Sequence, residues 1–479
     1  MKPRQLRPGW AFLPLAAILF FAAQVFGVAE TRLEPLPQFV WKRSLPIRPG
    51  DPQTGPIGGT EVRSLVVFDK RLFAAIGYWM DTETTNPALP GAQVLRLDSP
   101  DAKWQVDLQL NERTQQGLRD YLAMSTLKQV RFTIDSAGRQ LAQPVDLLLA
   151  SVWKRTFGLD IFSRVIGSGA TPWSKTTIPG DSDTPRGAHV RAFALHKDLV
   201  TGEEMVFAGA TNAVRTGKFD SERQRLVWNP QAELQWRSES YDEGERLFRV
   251  SSLAECNGKL YATSRGGLYE RVDGSSPSWN KIFETTIHAR NPHVTGLRGL
   301  TCMHDPSQQA DVLLAGVEDN PSRIYRINPL DVREGGQYGA VQELDVSAFL
   351  TRMLGTRTTY AIVAYNDMTE YDDDARTCPR FLIGLEAITP QAYVTFGTQR
   401  YNTHAYYLLR NCDASYALRQ IRDFRIEPEP TMVAVRTFAL SPFQADPPGT
   451  VYAGGYDANR NPVHNTAWLY KGVPKDAAE

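Results

Sequence analysis

The chain has 479 residues, and its 53 Lys and Arg balance its 53 Asp and Glu, so the formal net charge is +0. That balance gives no support for nucleic acid or an anionic membrane surface as a partner, since both draw on a basic excess. Hydrophobic residues at 42% and charged residues at 22% are ordinary globular values, while 10 Trp and 18 Tyr are generous and suit both strands and ligand platforms.

From the N-terminus, Lys2, Arg4 and Arg7 precede an apolar run from Trp10 to Val28, and Gly27-Val28-Ala29 offers small residues to a signal peptidase. Residues 1–29 are read as a secretory signal. The alternative is an uncleaved anchor, because the run approaches the length that spans a bilayer. No Cys lies near the cleavage site, which argues against a lipid anchor, and no later segment is apolar enough to cross a membrane. Residues 30–60 hold an isolated strand, Phe39-Val40-Trp41-Lys42-Arg43, and a linker from Pro46 to Gly59.

Four short strands separated by turn residues then recur. The first unit reads Val62–Val67, Leu72–Tyr78, Gln93–Leu97 and Gln105–Leu108, the last opened by Trp104. The second runs from about Val130 through Val145–Ala150 to Trp173, and the third from Val190 through Met205–Ala208 to Trp228 or Trp236. The fourth runs from Ser251 through Leu260-Tyr261-Ala262 to Trp279-Asn280-Lys281-Ile282, and the fifth from Arg298 through Val312–Ala315 and Arg323–Arg326. The sixth runs from Tyr360 through Phe381–Leu385 and Ala405–Leu409 to Tyr416–Ile421. The last has only three strands, Val433–Leu440, Thr450–Ala453 and Ala467–Tyr470.

Self-similarity ties these units together. Val62-Arg63-Ser64-Leu65 returns as Val190-Arg191-Ala192-Phe193, Leu297-Arg298-Gly299-Leu300 and Val435-Arg436-Thr437-Phe438. Ala-Ala or Ala-Gly follows each on the next strand, at Ala74-Ala75, Ala208-Gly209, Ala315-Gly316 and Ala453-Gly454. A repeat of this kind predicts an all-β, seven-bladed β-propeller of four-stranded blades over residues 61–474. Residues 38–45 would complete the last blade and so remove the exposed edges of an open array.

The chain is similar to bacterial exported propellers with kelch-like, YVTN-like or Asp-box-like repeats. Asp273-Gly274…Trp279 resembles an Asp-box turn with one residue too many between Asp and Trp. Phe424-Arg425-Ile426-Glu427-Pro428 resembles the Phe/Tyr-Arg-Ile-Pro motif of sialidases, with its Pro displaced by one and its place near the C-terminus rather than the start.

Four Cys in an exported chain permit disulfides. If their flanking strands pair antiparallel, Cys378 faces Cys412 across the open end, and that bridge is the expected one. Cys256 and Cys302 sit near the ends of equivalent strands, as a second bridge or as two buried thiols.

By analogy with propellers, ligands bind where the loops around the central channel open. Arg63, Arg191, Arg298 and Arg436 would lie at that mouth, with Tyr360 in the sixth blade and Asp81, Asp319 and Asp457 in neighbouring loops. An Arg at a strand start and a carboxylate after the next strand can simply tie a blade together. The rival reading is an arginine ring that captures a uronate, a sialate or a carboxylated peptide. Seven scattered His lack metal-ligand spacing, the acidic run from Asn366 to Asp374 lacks a defined Ca²⁺ loop, and no cofactor or metal is expected. No nucleophile elbow, zincin motif or phosphate loop is present in the sequence. The expected role is a secreted or periplasmic, monomeric scaffold whose channel mouth holds a protein or carbohydrate ligand. The alternative is a glycan-active hydrolase or lyase that holds an acidic sugar on the arginines, with Tyr360 or Asp81 and Asp319 for proton work.

Overall fold

In most runs of four strands the fourth is the most exposed, and the strands before it carry the bulk of the buried residues. In the first meander the strands Glu61–Phe68 and Arg71–Gly77 are almost wholly buried, Ala92–Leu97 nearly so, and Gln105–Leu110 largely solvated. Strands buried on both faces lose the period-two alternation of a half-buried sheet. The computed structural model describes residues 38–477 apart from 46–56, 78–90, 167–172, 179–187, 237–247, 289–293, 334–337, 359, 367, 372–378, 389–393, 397–398, 402–404, 424–431, 433 and 457–467.

The chain is nearly all β and antiparallel. The second meander is Tyr121–Ile134, Gln140–Lys154, Leu159–Val165 and Ser174–Ile178. It begins at Tyr121 rather than near Val130, because register shifts between Tyr121 and Ala123 and between Met124 and Thr126 scramble the alternation that would reveal it. The third is Ala192–Lys197, Glu204–Ala210, Ala213–Asp220 and Arg225–Trp228, and the fourth Val250–Cys256, Lys259–Ser264, Gly267–Val272 and Ser278–Glu284. The fifth is Gly296–Asp305, Ala310–Glu318, Arg323–Val332 and Tyr338–Asp345. In the sixth the first strand is broken: Tyr360–Val363 and Thr369–Glu370 both pair with Phe381–Ile388, followed by Tyr406–Arg410 and Tyr416–Gln420.

The last meander is Ala434–Leu440, Val451–Tyr456 and Trp468–Pro474, and its fourth strand is Phe39–Arg43 from the other end of the chain. Phe39 pairs with Pro474 and Arg43 with Tyr470. This is the isolated strand Phe39-Val40-Trp41-Lys42-Arg43 of the sequence.

First strands of the first five meanders pack side by side; Tyr360–Val363 lies against Ala310–Glu318, Phe381–Ile388 against Ala434–Leu440, and Ala434–Leu440 against Glu61–Phe68, so the series closes on itself. The hydrophobic core lies between meanders. At the seam, Val62 and Leu72 of the first pack with Tyr452 and Leu469 of the last. The two halves of the sequence repeat interlock across such seams. A Cβ on Gly454 would stand 2.5 Å from Val62 Cγ1, and one on Gly209 would stand 2.6 Å from Val250 Cγ1. Only glycine leaves room there for the branched residue of the next first strand.

A helix, Val346–Leu354, links the fifth and sixth meanders and has no counterpart in the strand pattern. Asp345 caps it by accepting from the Ala348 N–H at 2.8 Å, and Gly355 ends it at φ 66°. Its buried Val346, Phe349 and Leu350 fill the space between the two meanders. Among the described residues no helix is long and apolar enough to cross a membrane.

A disulfide joins Cys256 to Cys302, the pairing the sequence left open, and staples the fourth meander to the fifth. The bridge expected from the sequence, Cys378–Cys412, falls partly outside the described residues: Cys412 is disulfide-bonded, and Cys378 is not among them.

Candidate functional site

The recurring Arg marks a β-bulge. Pairing of the first strand with the second shifts register between Val62 and Ser64, between Arg298 and Thr301, and between Val435 and Thr437. Each shift inserts extra residues beside or at the arginine and re-aims the local side chains. The fourth meander has the same shift at Ser251, between Val250 and Ser252. In the third, Arg191 precedes the strand and its N–H donates to the Gly209 carbonyl at 2.8 Å.

These bulges bring the arginines into one cluster. Glu61, fully buried, receives two of them, Arg63 at 3.4 Å and Arg436 at 3.1 Å. Arg298 pairs with Glu318 at 2.6 Å. Tyr365, at the break in the sixth first strand, stands between two guanidinium groups, with Arg436 4.0 Å and Arg298 4.5 Å from its ring centroid. Its hydroxyl donates to the buried carboxylate of Glu386, which the Tyr456 hydroxyl also reaches.

Arg191 is different. Its buried Nε has no hydrogen-bond partner, and among the described residues its guanidinium makes no ion pair. Burial, then the charges of Arg249, Arg63 and Arg298, push its pKa well below the usual arginine value, against a smaller opposing pull from Glu318. Arginine nevertheless holds its proton at neutral pH. The cluster thus sets five arginines (63, 191, 249, 298 and 436) against three glutamates (61, 318 and 386). Glu386 is itself pushed up by burial, despite its tyrosine hydrogen bonds and Arg436. Burial raises Tyr365 too, with Glu386 adding to the rise and the two arginines opposing it. Arg436 moves up: burial would lower it, and Glu61, Tyr365, Tyr456 and Glu386 outweigh that.

A cavity of about 180 Å³ lies next to this cluster, lined by the first strands of several meanders and reached by Arg191.

The other expected site residues are placed less centrally. Asp319 is fully buried, accepting from Arg323 at 3.2 Å and lying 3.0 Å from His288 Nδ1, so it braces its own loop. Tyr360 lies in a strand opposite Ile388. Asp81 and Asp457 lie outside the described residues. The blade-internal tie read from the sequence holds for Arg298 with Glu318, whereas Arg436 crosses a seam to Glu61. Glu61, Tyr365 and Glu386 escape sequence reading. Glu61 precedes its arginine instead of following the next strand, and the sixth meander has no Val-Arg to mark Tyr365. Asp273 of the Asp-box-like segment accepts from Arg271 and the Leu199 N–H and contacts His196, bridging the third and fourth meanders. Among the described residues no group of three His, Cys, Asp or Glu could hold a metal ion.

No protein-family profile matches the sequence, and no curated protein matches it. Among solved structures, the extracellular domain of a hybrid two-component system from B. thetaiotaomicron is 13% identical, with a TM-score of 0.43; the match covers 90% of this chain and 39% of that one. An α-L-arabinofuranosidase from Fusarium graminearum is 11% identical, with a TM-score of 0.42, covering 92% and 99%. The NanB sialidase from Streptococcus pneumoniae is 10% identical, with a TM-score of 0.40, covering 91% and 71%. This chain thus spans about two fifths of the first of these. Likeness at this level transfers no residue role.

Proposed function

We propose that the chain is an exported, monomeric, seven-bladed β-propeller over residues 61–474, its ring completed by residues 38–45, that binds a carboxylate-bearing protein or glycan ligand at its channel mouth. Residues 1–29 direct it to a secreted or periplasmic location, where the Cys256–Cys302 disulfide is at home. The observation that carries the binding role is Arg191. Arg191 is half-buried, and its wholly buried Nε is held without a hydrogen-bond partner, an arrangement that an incoming anion would relieve. A ligand carboxylate supplies the missing charge by a bidentate pair. Arg63, Arg298 and Arg436 are held by glutamates and set the surrounding positive field. Thermal denaturation with and without carboxylate ligands tests this. A ligand at a hundred times its Kd stabilises by ~2.7 kcal/mol, and Arg191→Gln removes that gain. A gain that survives Arg191→Gln rejects the role.

A second reading has one observation in its favour. Glu386, its carboxyl pushed up, and Tyr365 form a hydrogen-bonded pair within the arginine cluster, the kind of perturbed pair that marks acid–base sites. On this reading the propeller hydrolyses or eliminates an acidic glycoside. Release of chromophore from aryl glycuronides, abolished in Tyr365→Phe, would support it; no turnover with any acidic aryl glycoside leaves the binding role alone.

A further inference from the structure

The cavity beside Arg191 has a chemistry narrower than a general anion site. Among the described residues its lining contains two cations, Arg191 and Lys128, and no carboxylate. Leu65, Val66 and Leu127 line it too, with Thr437 and with Ser64, whose hydroxyl is engaged with the Leu127 backbone. The Thr437 Oγ1 accepts from the Leu65 N–H at 3.1 Å, which leaves its own O–H able to donate to an occupant. The cavity, of about 180 Å³, has room for a sugar ring. A sugar ring also has the matching surface, apolar on its faces and hydroxylated round its edge, and a carboxylate substituent would meet Arg191.

We infer that this cavity takes a single pyranose ring bearing one carboxylate, a hexuronic acid or a terminal hexuronate of a longer glycan. The inference rests on the anion-binding reading of Arg191 and adds the size and class of what is bound. Apolar contact with the lining and a hydrogen bond from the Thr437 hydroxyl then select the ring, and Arg191 selects the charge.

Titration calorimetry of the chain with D-glucuronate, D-galacturonate, D-glucose and acetate tests it, alongside Ala192→Leu, which adds bulk at a lining position and leaves Arg191 in place. At least one uronate binds no less than tenfold tighter than both glucose and acetate, and Ala192→Leu abolishes uronate binding while acetate binding persists. Acetate binding as tightly as the uronates would overturn the ring inference and leave the anion site standing. Binding of no carboxylate overturns both. Uronate binding unchanged by Ala192→Leu puts the ring elsewhere and overturns the inference. Melting of the unliganded variant, compared with wild type, separates lost binding from lost folding.

Discussion

Arg436, on the last meander, reaches across the seam to Glu61, on the first, at 3.1 Å. Glu61 also holds Arg63 at 3.4 Å, so one buried carboxylate anchors two arginines from the two ends of the closed series. Glu61→Gln strands both cations. The expected loss is about 3 kcal/mol, read as a lower denaturation midpoint by chemical unfolding. A midpoint within error of wild type would show that the arginines find other anions.

Gly454 and Val62 meet at the same seam. Gly454→Ala drives a methyl into the valine and costs about 1–3 kcal/mol by overpacking. Val62→Ala alone removes packing and destabilises as well. The double variant recovers part of the loss, giving a coupling of the sign that a steric clash requires. Additive losses would place the clash elsewhere.

The Cys256–Cys302 bridge closes a sequence separation of 46 residues. Its replacement by two serines lowers stability by about 4 kcal/mol on the loop-entropy estimate. Denaturation of the variant in the absence of reductant measures the loss. An unchanged midpoint would mean the two meanders are fully held by the apolar contacts between them.

His196 contributes a pH dependence. It is 1% exposed, 3.0 Å from Asp273 and 3.6 Å from Glu255. Burial would lower its pKa, and the two carboxylates outweigh burial and raise it above 6.5. A group raised on folding contributes stability that is full below its unfolded pKa and lost as pH rises through the folded one. Asp273 is shifted the other way: burial would raise it, and Leu199, His196 and Arg271 lower it, so its contribution is lost in acid, below 3.8. Melting temperature is therefore highest in mildly acidic buffer and declines toward alkaline pH. His196→Gln flattens the alkaline limb; an unaltered limb would locate the titration in another group.

Strand order, the turn-delimited units and the completing strand Phe39–Arg43 are legible because apolar runs and turn residues recur with little change. The start of the second meander is not, because bulges at Tyr121–Thr126 break the alternation. The helix Val346–Leu354 is short and begins at an ordinary-looking Asp345, so nothing in a strand-by-strand reading calls for it. At the site, the repeated Val-Arg is visible as a pattern, and its physical meaning, a bulge that redirects a side chain, depends on pairing with the second strand. Which arginine lacks a carboxylate is set by seam contacts between residues as far apart as Glu61 and Arg436, and no local spacing encodes those.

Pairing of Phe39–Arg43 with Trp468–Pro474 means that this strand finds its partner only once the last meander has been made. Until then those five residues, Trp41 among them, are without their strand partner. A product truncated before Trp468 would keep an open edge and an unburied tryptophan. Closure of the last meander thus acts as a check that synthesis has run through Trp468–Pro474.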